Sequence, residues 1–289
     1  LLLSGGREVY TGTLTQGEVI ALINYMSQIL INLLRIADLV ISVTRALASG
    51  VRVSEILNTP TTMADPAAAG LEPVAGSPAA AFDHVTFTYR GAGGPSLTDV
   101  SFAARPGETV GVIGGTGSGK TTLVDLVARF YDAGNGAVRL FGHDIRDYSF
   151  AQLRRMIGIV PQQAMLFTGT IRDNMQWAAP NATDDEIWAA LEIAQAADFV
   201  RSKPGMLDAE VETAGRNFSG GQRQRLTIAR ALVPQPQILI LDDSASALDF
   251  ATDAALRAAL KEKTRGMTVF LVSQRAASVQ RADHILVLD

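Results

Sequence analysis

The strongest constraint on how this chain can fold is the run Gly114-Gly115-Thr116-Gly117-Ser118-Gly119-Lys120-Thr121. It stands between an apolar stretch at 109–113 and a stretch of helical spacing at 120–131. A strand that ends in glycines and opens at once into a helix has to turn sharply, and glycine permits the backbone angles this needs. Successive N–H groups then point to one place, and the helix N-terminus adds positive potential, so the turn forms a cradle for phosphate. The spacing matches the G-x-x-x-x-G-K-[ST] loop in the strand–helix context that gives that motif its meaning. Lys120 is placed for the outer phosphates and the Thr121 hydroxyl for Mg²⁺.

Strand and helix patterns alternate from Phe82 onward. Strands are expected at 82–89, 97–102, 109–113, 138–141, 157–160, 238–241, 268–272 and 284–288, and a helix at 120–131. Alternation of this kind argues a largely parallel α/β sheet. Residues 171–202 lack strand signals and carry helical spacing, which predicts a helical insert. Residues 59–81 are rich in Ala, Pro and Gly without periodicity, the composition of a tether.

The first 58 residues differ in kind. Residues 4–17 hold Gly, Thr and charges and predict an exposed loop. Residues 19–34 carry no charge. That run of roughly 16 residues makes about 24 Å of helix, a little short of the ~20 residues a lone membrane span wants. The periodic pattern continues past Arg35 and Asp38 to Leu57, which predicts one long helix that enters the bilayer and extends well beyond it. Asn24, Gln28, Asn32 and Arg35 share one face. Such a polar stripe either lines a translocation pathway or bonds neighbouring helices. The chain opens on Leu1 and stops directly after a strand-like run, so it is expected to be a piece of a longer polypeptide.

Three further motifs follow the phosphate loop. Asn217-Phe218-Ser219-Gly220-Gly221-Gln222-Arg223-Gln224-Arg225 precedes an apolar helical pattern. Its hydroxyl, glycines and helix N-terminus make a second anion site. Ile238-Leu239-Ile240-Leu241-Asp242-Asp243 places carboxylates at the end of an apolar strand, where a hard cation beside phosphates is held. Ser246-Ala247-Leu248-Asp249 comes just after it.

Together these residues resemble the ATP-binding cassette (ABC) family over nearly all of 82–289, and the helix before them resembles the last transmembrane helix of an exporter-type half-transporter. The resemblance implies an α/β P-loop NTPase with a mixed-sheet core, an antiparallel β subdomain and a helical subdomain, preceded by a transmembrane helix. It divides the chain into a membrane part (1–58), a linker (59–81) and a nucleotide-binding domain (82–289). It implies ATP and Mg²⁺ as ligands, with ATP contacts from Gly114 through Thr122. Tyr89 takes the place of the aromatic that stacks on adenine, and Gln162 that of the residue that touches Mg²⁺ and the membrane domain. Asp242 holds Mg²⁺ together with Thr121 and Gln162. Ser219, Gly220, Gly221 and Gln222 form the signature that closes on a partner's ATP, with Phe218 where Leu is commoner. Residues 246–249 match the loop that crosses the dimer interface, and Glu212 the acid that precedes the signature.

Two positions depart from the family pattern. Active members carry Glu after the Walker B aspartate, and this chain has Asp243. Loss of one methylene retracts the carboxylate by roughly 1.5 Å, while a general base must lie within about 3.2 Å of its proton. The switch position, His in the family, is Gln274, which bonds phosphate but carries no charge and relays no proton. Loss of base catalysis typically costs about 10²–10⁴ in rate. These departures predict tight ATP binding with slow turnover at this chain's own site, with Asp243, Gln274 and Gln162 as the residues of the hydrolytic step. The intact signature predicts service to a competent site on a different half-transporter, as in heterodimeric exporters of the plasma membrane with the ATP-binding domain in the cytoplasm. A homodimer with two slow sites, a soluble cassette ATPase acting on nucleic acid or ribosomes, and an importer ATPase are the alternatives.

Composition weighs against the nucleic-acid alternative. The net charge of −4 supplies no basic field. The absence of cysteine excludes disulfides and thiolate metal sites.

Overall fold

The computed structural model describes residues 2–59, 63–66, 70–244, 247–264 and 266–289. The chain divides into two compact units, Leu1–Thr62 and Met63–Asp289.

The first unit consists of the helices Leu2–Tyr10 and Gln16–Leu57. Thr15 starts the longer one through a reciprocal cap. Its hydroxyl accepts from the Glu18 N–H, and its own N–H donates to the Glu18 carboxylate, satisfying two of the amides a helix start leaves open. The helix then runs unbroken for 42 residues, about 63 Å, or roughly twice the hydrocarbon thickness of a bilayer. An 18-residue window within it reaches a mean hydropathy of 1.6, and none of that window is buried. Asn24, Gln28, Asn32 and Arg35 are all exposed.

The short first helix corrects the loop expected at 4–17, of which only 11–15 is non-helical. Gly5 and Gly6 weaken intrinsic helix propensity by about 1 kcal/mol each. Packing overrides that preference, because a Cβ on Gly5 would lie 2.7 Å from Cγ1 of Val19. The missing side chain is what lets the two helices touch.

The second unit is built on two main sheets. An antiparallel sheet has the order β2-β1-β4-β5, formed by Leu97–Ala104, Ala80–Phe87, Asn135–Leu140 and His143–Asp144. A parallel sheet has the order β11-β3-β10-β9-β6, formed by His284–Leu288, Thr109–Gly114, Thr268–Val272, Ile238–Asp242 and Ile157–Val160. The two-residue strands β7 (Gly169–Thr170) and β8 (Glu210–Val211) pair antiparallel. Strands β3, β10, β9 and β6 are largely buried on both faces, as their apolar runs require, while Ile285 and Val287 of the edge strand β11 are exposed. Ile238, Ile240, Phe270 and Val272 point into one core with the antiparallel sheet and the helix Lys120–Val127. Leu239, Leu241, Val269 and Leu271 point into the other with the helices of the insert. Those helices are Ile171–Gln176, Asp184–Ile193 and Ala197–Arg201, beside Gly220–Leu232.

Two expectations are adjusted. The helix after the phosphate loop stops at Val127 rather than at 131, because Arg129 takes a left-handed backbone (φ 51°) and the Phe130 N–H turns back to Asp125 O. The segment expected as a tether is docked where it is described. Ala64 O accepts from Arg129 Nη2 at 2.9 Å, Asp65 Oδ1 from the Phe150 N–H, and Glu72 O pairs with His143 Nε2. Leu71 exchanges two hydrogen bonds with the Gln152 side chain.

Candidate functional site

The strand register sets the site. Val112 pairs with Val272, Val272 with Asp242, and Leu241 with Val160. The C-terminal ends of β3, β10, β9 and β6 therefore lie in a row, carrying in order the phosphate loop, Gln274, Asp242–Asp243 and Gln162. Ligands of open parallel sheets sit beyond this edge.

The loop curls through left-handed glycines, Gly117 at φ 85° and Gly119 at φ 90°. Gly119 caps the helix Lys120–Val127. A Cβ there would stand 2.5 Å from Ser96 O, and one on Gly115 or Gly117 would meet nothing within 4 Å. The loop thus presses on the domain at Gly119 and opens at its tip. Lys120 Nζ donates to Gly114 O at 3.0 Å and Gly115 O at 2.5 Å. An ammonium has three donors, and neutral carbonyls hold it less strongly than phosphate oxygens do.

Beside the loop, the Thr121 hydroxyl donates to Asp242 Oδ2 at 3.1 Å. Burial raises the Asp242 carboxyl above its ordinary range. The Thr121 hydrogen bond and nearby Lys120 oppose that rise, and Asp243 reinforces it. Asp125, one helical turn beyond Thr121, is pushed up to about 6 by burial and by the charge of Asp242. A threonine hydroxyl beside a carboxylate offers oxygen ligands of the kind a hard divalent cation takes.

Asp243 holds a left-handed backbone at φ 45°, and its N–H donates to Val272 O at 3.0 Å. Asp and Asn tolerate that conformation better than longer side chains do. On the neighbouring strand the Ser273 N–H bonds Val112 O, and Gln274 beyond it is exposed. Gln162 is also exposed. Tyr89 lies two residues past the end of β1, outside the strand expected to include it. Its hydroxyl is 3.0 Å from Thr122 Oγ1. Thr122, expected at the nucleotide, thus directs its hydroxyl to Tyr89.

The signature stands apart from this edge. Ser219 caps the helix Gly220–Leu232 by a reciprocal pair of hydrogen bonds with Gln222, and Ser219 and Gly220 are exposed. Among the described residues no hydrogen bond, ion pair or ring contact joins residues 219–222 to the phosphate loop. Phe218 is buried against Phe199 with Lys203 Nζ over its ring, so this departure from Leu fills a core. Ser246 lies outside the described residues, and Asp249 caps the helix Phe250–Lys263 through Thr252. Glu212 is exposed, with its backbone N–H held by Asn217 Oδ1.

Sequence reasoning missed Asp125 and the Thr122–Tyr89 contact. Asp125 was within reach, since it is four residues from Thr121 and so shares its helix face.

The family profile described as ABC transporter matches residues 97–246, just over half of the sequence. The chain belongs to the ABC transporter family. An uncharacterized ABC transporter ATP-binding protein of Mycobacterium tuberculosis is 39% identical over 300 residues, spanning 100% of this chain and 50% of that protein. The fatty acid ABC transporter ATP-binding/permease protein of Mycobacterium bovis is 38% identical over 286 residues, 99% of this chain and 45% of its own length. The β-(1→2)glucan export ATP-binding/permease protein of Rhodopseudomonas palustris is 44% identical over 208 residues, 72% of this chain and 34% of its own. Among solved structures, a bacterial Atm1-family ABC exporter with ATP bound aligns at a TM-score of 0.77 with 34% identity, covering 86% of this chain and 43% of that one. The chain spans about half the length of the first of these relatives and less of the others. It therefore carries an ABC-type ATPase fold preceded by a long apolar helix of the kind an exporter half contains.

Proposed function

We propose that this chain is the C-terminal part of an exporter-type ABC half-transporter whose own nucleotide site binds MgATP tightly and hydrolyses it slowly. In this reading residues 1–58 complete a multi-pass domain in the plasma membrane, 59–81 connect it, and 82–289 bind nucleotide in the cytoplasm. The observation that carries the reading is the split between the two anion sites. The phosphate loop, Asp242, Asp243 and Gln274 share one sheet edge, while the signature caps the separate helix Gly220–Leu232, and among the described residues no hydrogen bond joins it to the phosphate loop. A signature so placed fits the γ-phosphate of a second half-transporter.

Lys120 and the N–H groups of residues 115–121 bind the phosphates, and Tyr89 offers its ring to adenine. Thr121, Asp242 and Gln162 would hold Mg²⁺, which would supply positive charge against the phosphates. Asp243 orients the attacking water from too far back to accept its proton, and Gln274 hydrogen-bonds the γ-phosphate without supplying charge. Both changes weaken one step, which favours pairing with a different half-transporter that carries Glu and His. The signature then completes the partner's working site, and hydrolysis there drives substrate export.

The test is turnover by the full-length chain alone and with Asp243→Glu and Gln274→His together. The expected result is tight ATP binding with slow hydrolysis, raised by about 10²-fold or more in the double variant. Brisk hydrolysis by the chain alone would sink the impaired-site reading in favour of a homodimer. An unchanged rate in the double variant would also sink it.

A further inference from the structure

Tyr89 sits in a place that does not hold a side chain still by itself. It follows the end of β1, where its carbonyl accepts from the Ala92 N–H in a turn, ahead of Gly91, Gly93 and Gly94. A ring that stacks on a base helps binding most when its face is already presented, because freezing a loose side chain costs roughly 0.5–1.5 kcal/mol. Three groups surround it. Phe87, buried on β1, stands nearly perpendicular to it at 4.9 Å between centroids. Thr122, buried on the helix after the phosphate loop, meets its hydroxyl at 3.0 Å.

The third group is Tyr131. Its ring is 5.1 Å from that of Tyr89 at an interplanar angle of 88°, and 5.4 Å from that of Phe87. Perpendicular rings at this spacing attract through their quadrupoles, by about 0.5–1.5 kcal/mol beyond area burial. Tyr131 is 42% exposed, so this ring forms the outer wall of the cluster rather than part of the core. Its own position is tied to the phosphate loop. The left-handed Arg129 and the Phe130 N–H bond to Asp125 O fix how the chain leaves the helix Lys120–Val127. Two of the three contacts on Tyr89 therefore come from the segment that carries the phosphate cradle.

We infer that Tyr131 is a positioning residue for the nucleotide base: it holds the Tyr89 ring at a fixed distance from the phosphate loop. The inference rests on the reading of Tyr89 as the ring that stacks on adenine. It assigns to Tyr131 no contact with the phosphates and no part in hydrolysis.

The test compares binding of MgATP and of inorganic tripolyphosphate to the full chain. Tyr131→Leu removes the ring but keeps apolar bulk, and Tyr131→Phe keeps the ring. Tyr131→Leu is expected to weaken MgATP about three- to tenfold with tripolyphosphate unchanged, and Tyr131→Phe to match the parent. Tyr131→Met serves as a second ring-free variant should the leucine variant fold poorly. Equal losses for both ligands with a lower melting temperature, or no loss of MgATP affinity, would overturn the inference. Tyr89→Ala separates the two layers. If it leaves the preference for ATP over tripolyphosphate intact, the stacking reading falls and this inference with it. If it abolishes that preference while Tyr131→Leu leaves it unchanged, only the role of Tyr131 falls.

Discussion

The hydroxyl of Thr121 donates to Oδ2 of Asp242 across 3.1 Å, joining the first turn after the phosphate loop to the end of β9. Those strands are not neighbours, because β10 runs between β3 and β9. One hydrogen bond therefore joins segments that leave strands two spacings apart, roughly 10 Å of sheet, and brings two oxygen ligands together. Hydrogen bonds to charged groups contribute about 1.5–3 kcal/mol. Thr121→Ala is expected to weaken MgATP binding about ten- to a hundredfold and to leave Mg²⁺-free nucleotide nearly unaffected. Titrations with and without Mg²⁺ read this directly, and Thr121→Ser should restore the parent value.

Asp125 makes the stability of the domain depend on pH in an uncommon direction. Its carboxyl titrates near 3.8 when solvated and is pushed up to about 6 in the fold, first by burial and then by Asp242. A carboxyl raised by folding favours the native state at low pH, where it is neutral in both states. That contribution is lost as pH rises from about 4 through 6. Asp125→Asn stays neutral throughout. It should melt higher than the parent at pH 8, and the gap should close below pH 4. A gap that is constant across this range would show that Asp125 does not titrate as its surroundings imply.

Asp243 occupies φ 45°, where a β-carbon crowds the backbone by roughly 1–2 kcal/mol in residues other than glycine, least so in Asp and Asn. Asp243→Glu alone is therefore expected to lower stability by about 1 kcal/mol even if it brings the carboxylate closer to the water. Asp243→Asn, which tolerates this backbone nearly as well as Asp, should lose less than Asp243→Glu. Chemical denaturation of both variants checks the sign.

Legibility from sequence followed how local each cause is. The strands at 157–160, 268–272 and 284–288 fall where expected, because apolar runs between polar turns have sharp ends. The helix at 120–131 overran, since its apolar spacing continues through Phe130 while the hydrogen bonding stops at the left-handed Arg129. The helix Leu2–Tyr10 was hidden by Gly5, whose value is a contact with Val19 rather than a local preference. The phosphate loop and Walker B strand were readable because each is contiguous. That β10 lies between them is a matter of strand order, which no local pattern encodes. The Tyr89–Thr122 contact joins residues 33 apart and depends on that same topology.

The docking of the segment after Thr62 was equally hidden, and its first anchor is one buried side chain. Arg129 is 4% exposed. Its guanidinium donates to Ala64 O at 2.9 Å, Tyr148 O at 3.0 Å and Asp132 Oδ1 at 3.1 Å, and lies 4.9 Å from the centre of the Phe150 ring. Removal of it leaves two carbonyls and a carboxylate short of a donor. Breaking a buried ionic cluster by deleting one member typically costs about 3–5 kcal/mol. Arg129→Met should therefore lower the melting temperature of the domain by several degrees, roughly 2–4 °C per kcal/mol for a domain of this size. It should also free Ala64 and Asp65, which the parent holds against Arg129 and Phe150. Hydrogen exchange of the Phe150 amide, which donates to Asp65 Oδ1, is the direct readout. Asp65→Ala removes the second anchor alone, so it should speed exchange at Phe150 with little loss of global stability. Equal protection of the Phe150 amide in parent and Arg129→Met would mean that the segment is held by something other than this arginine.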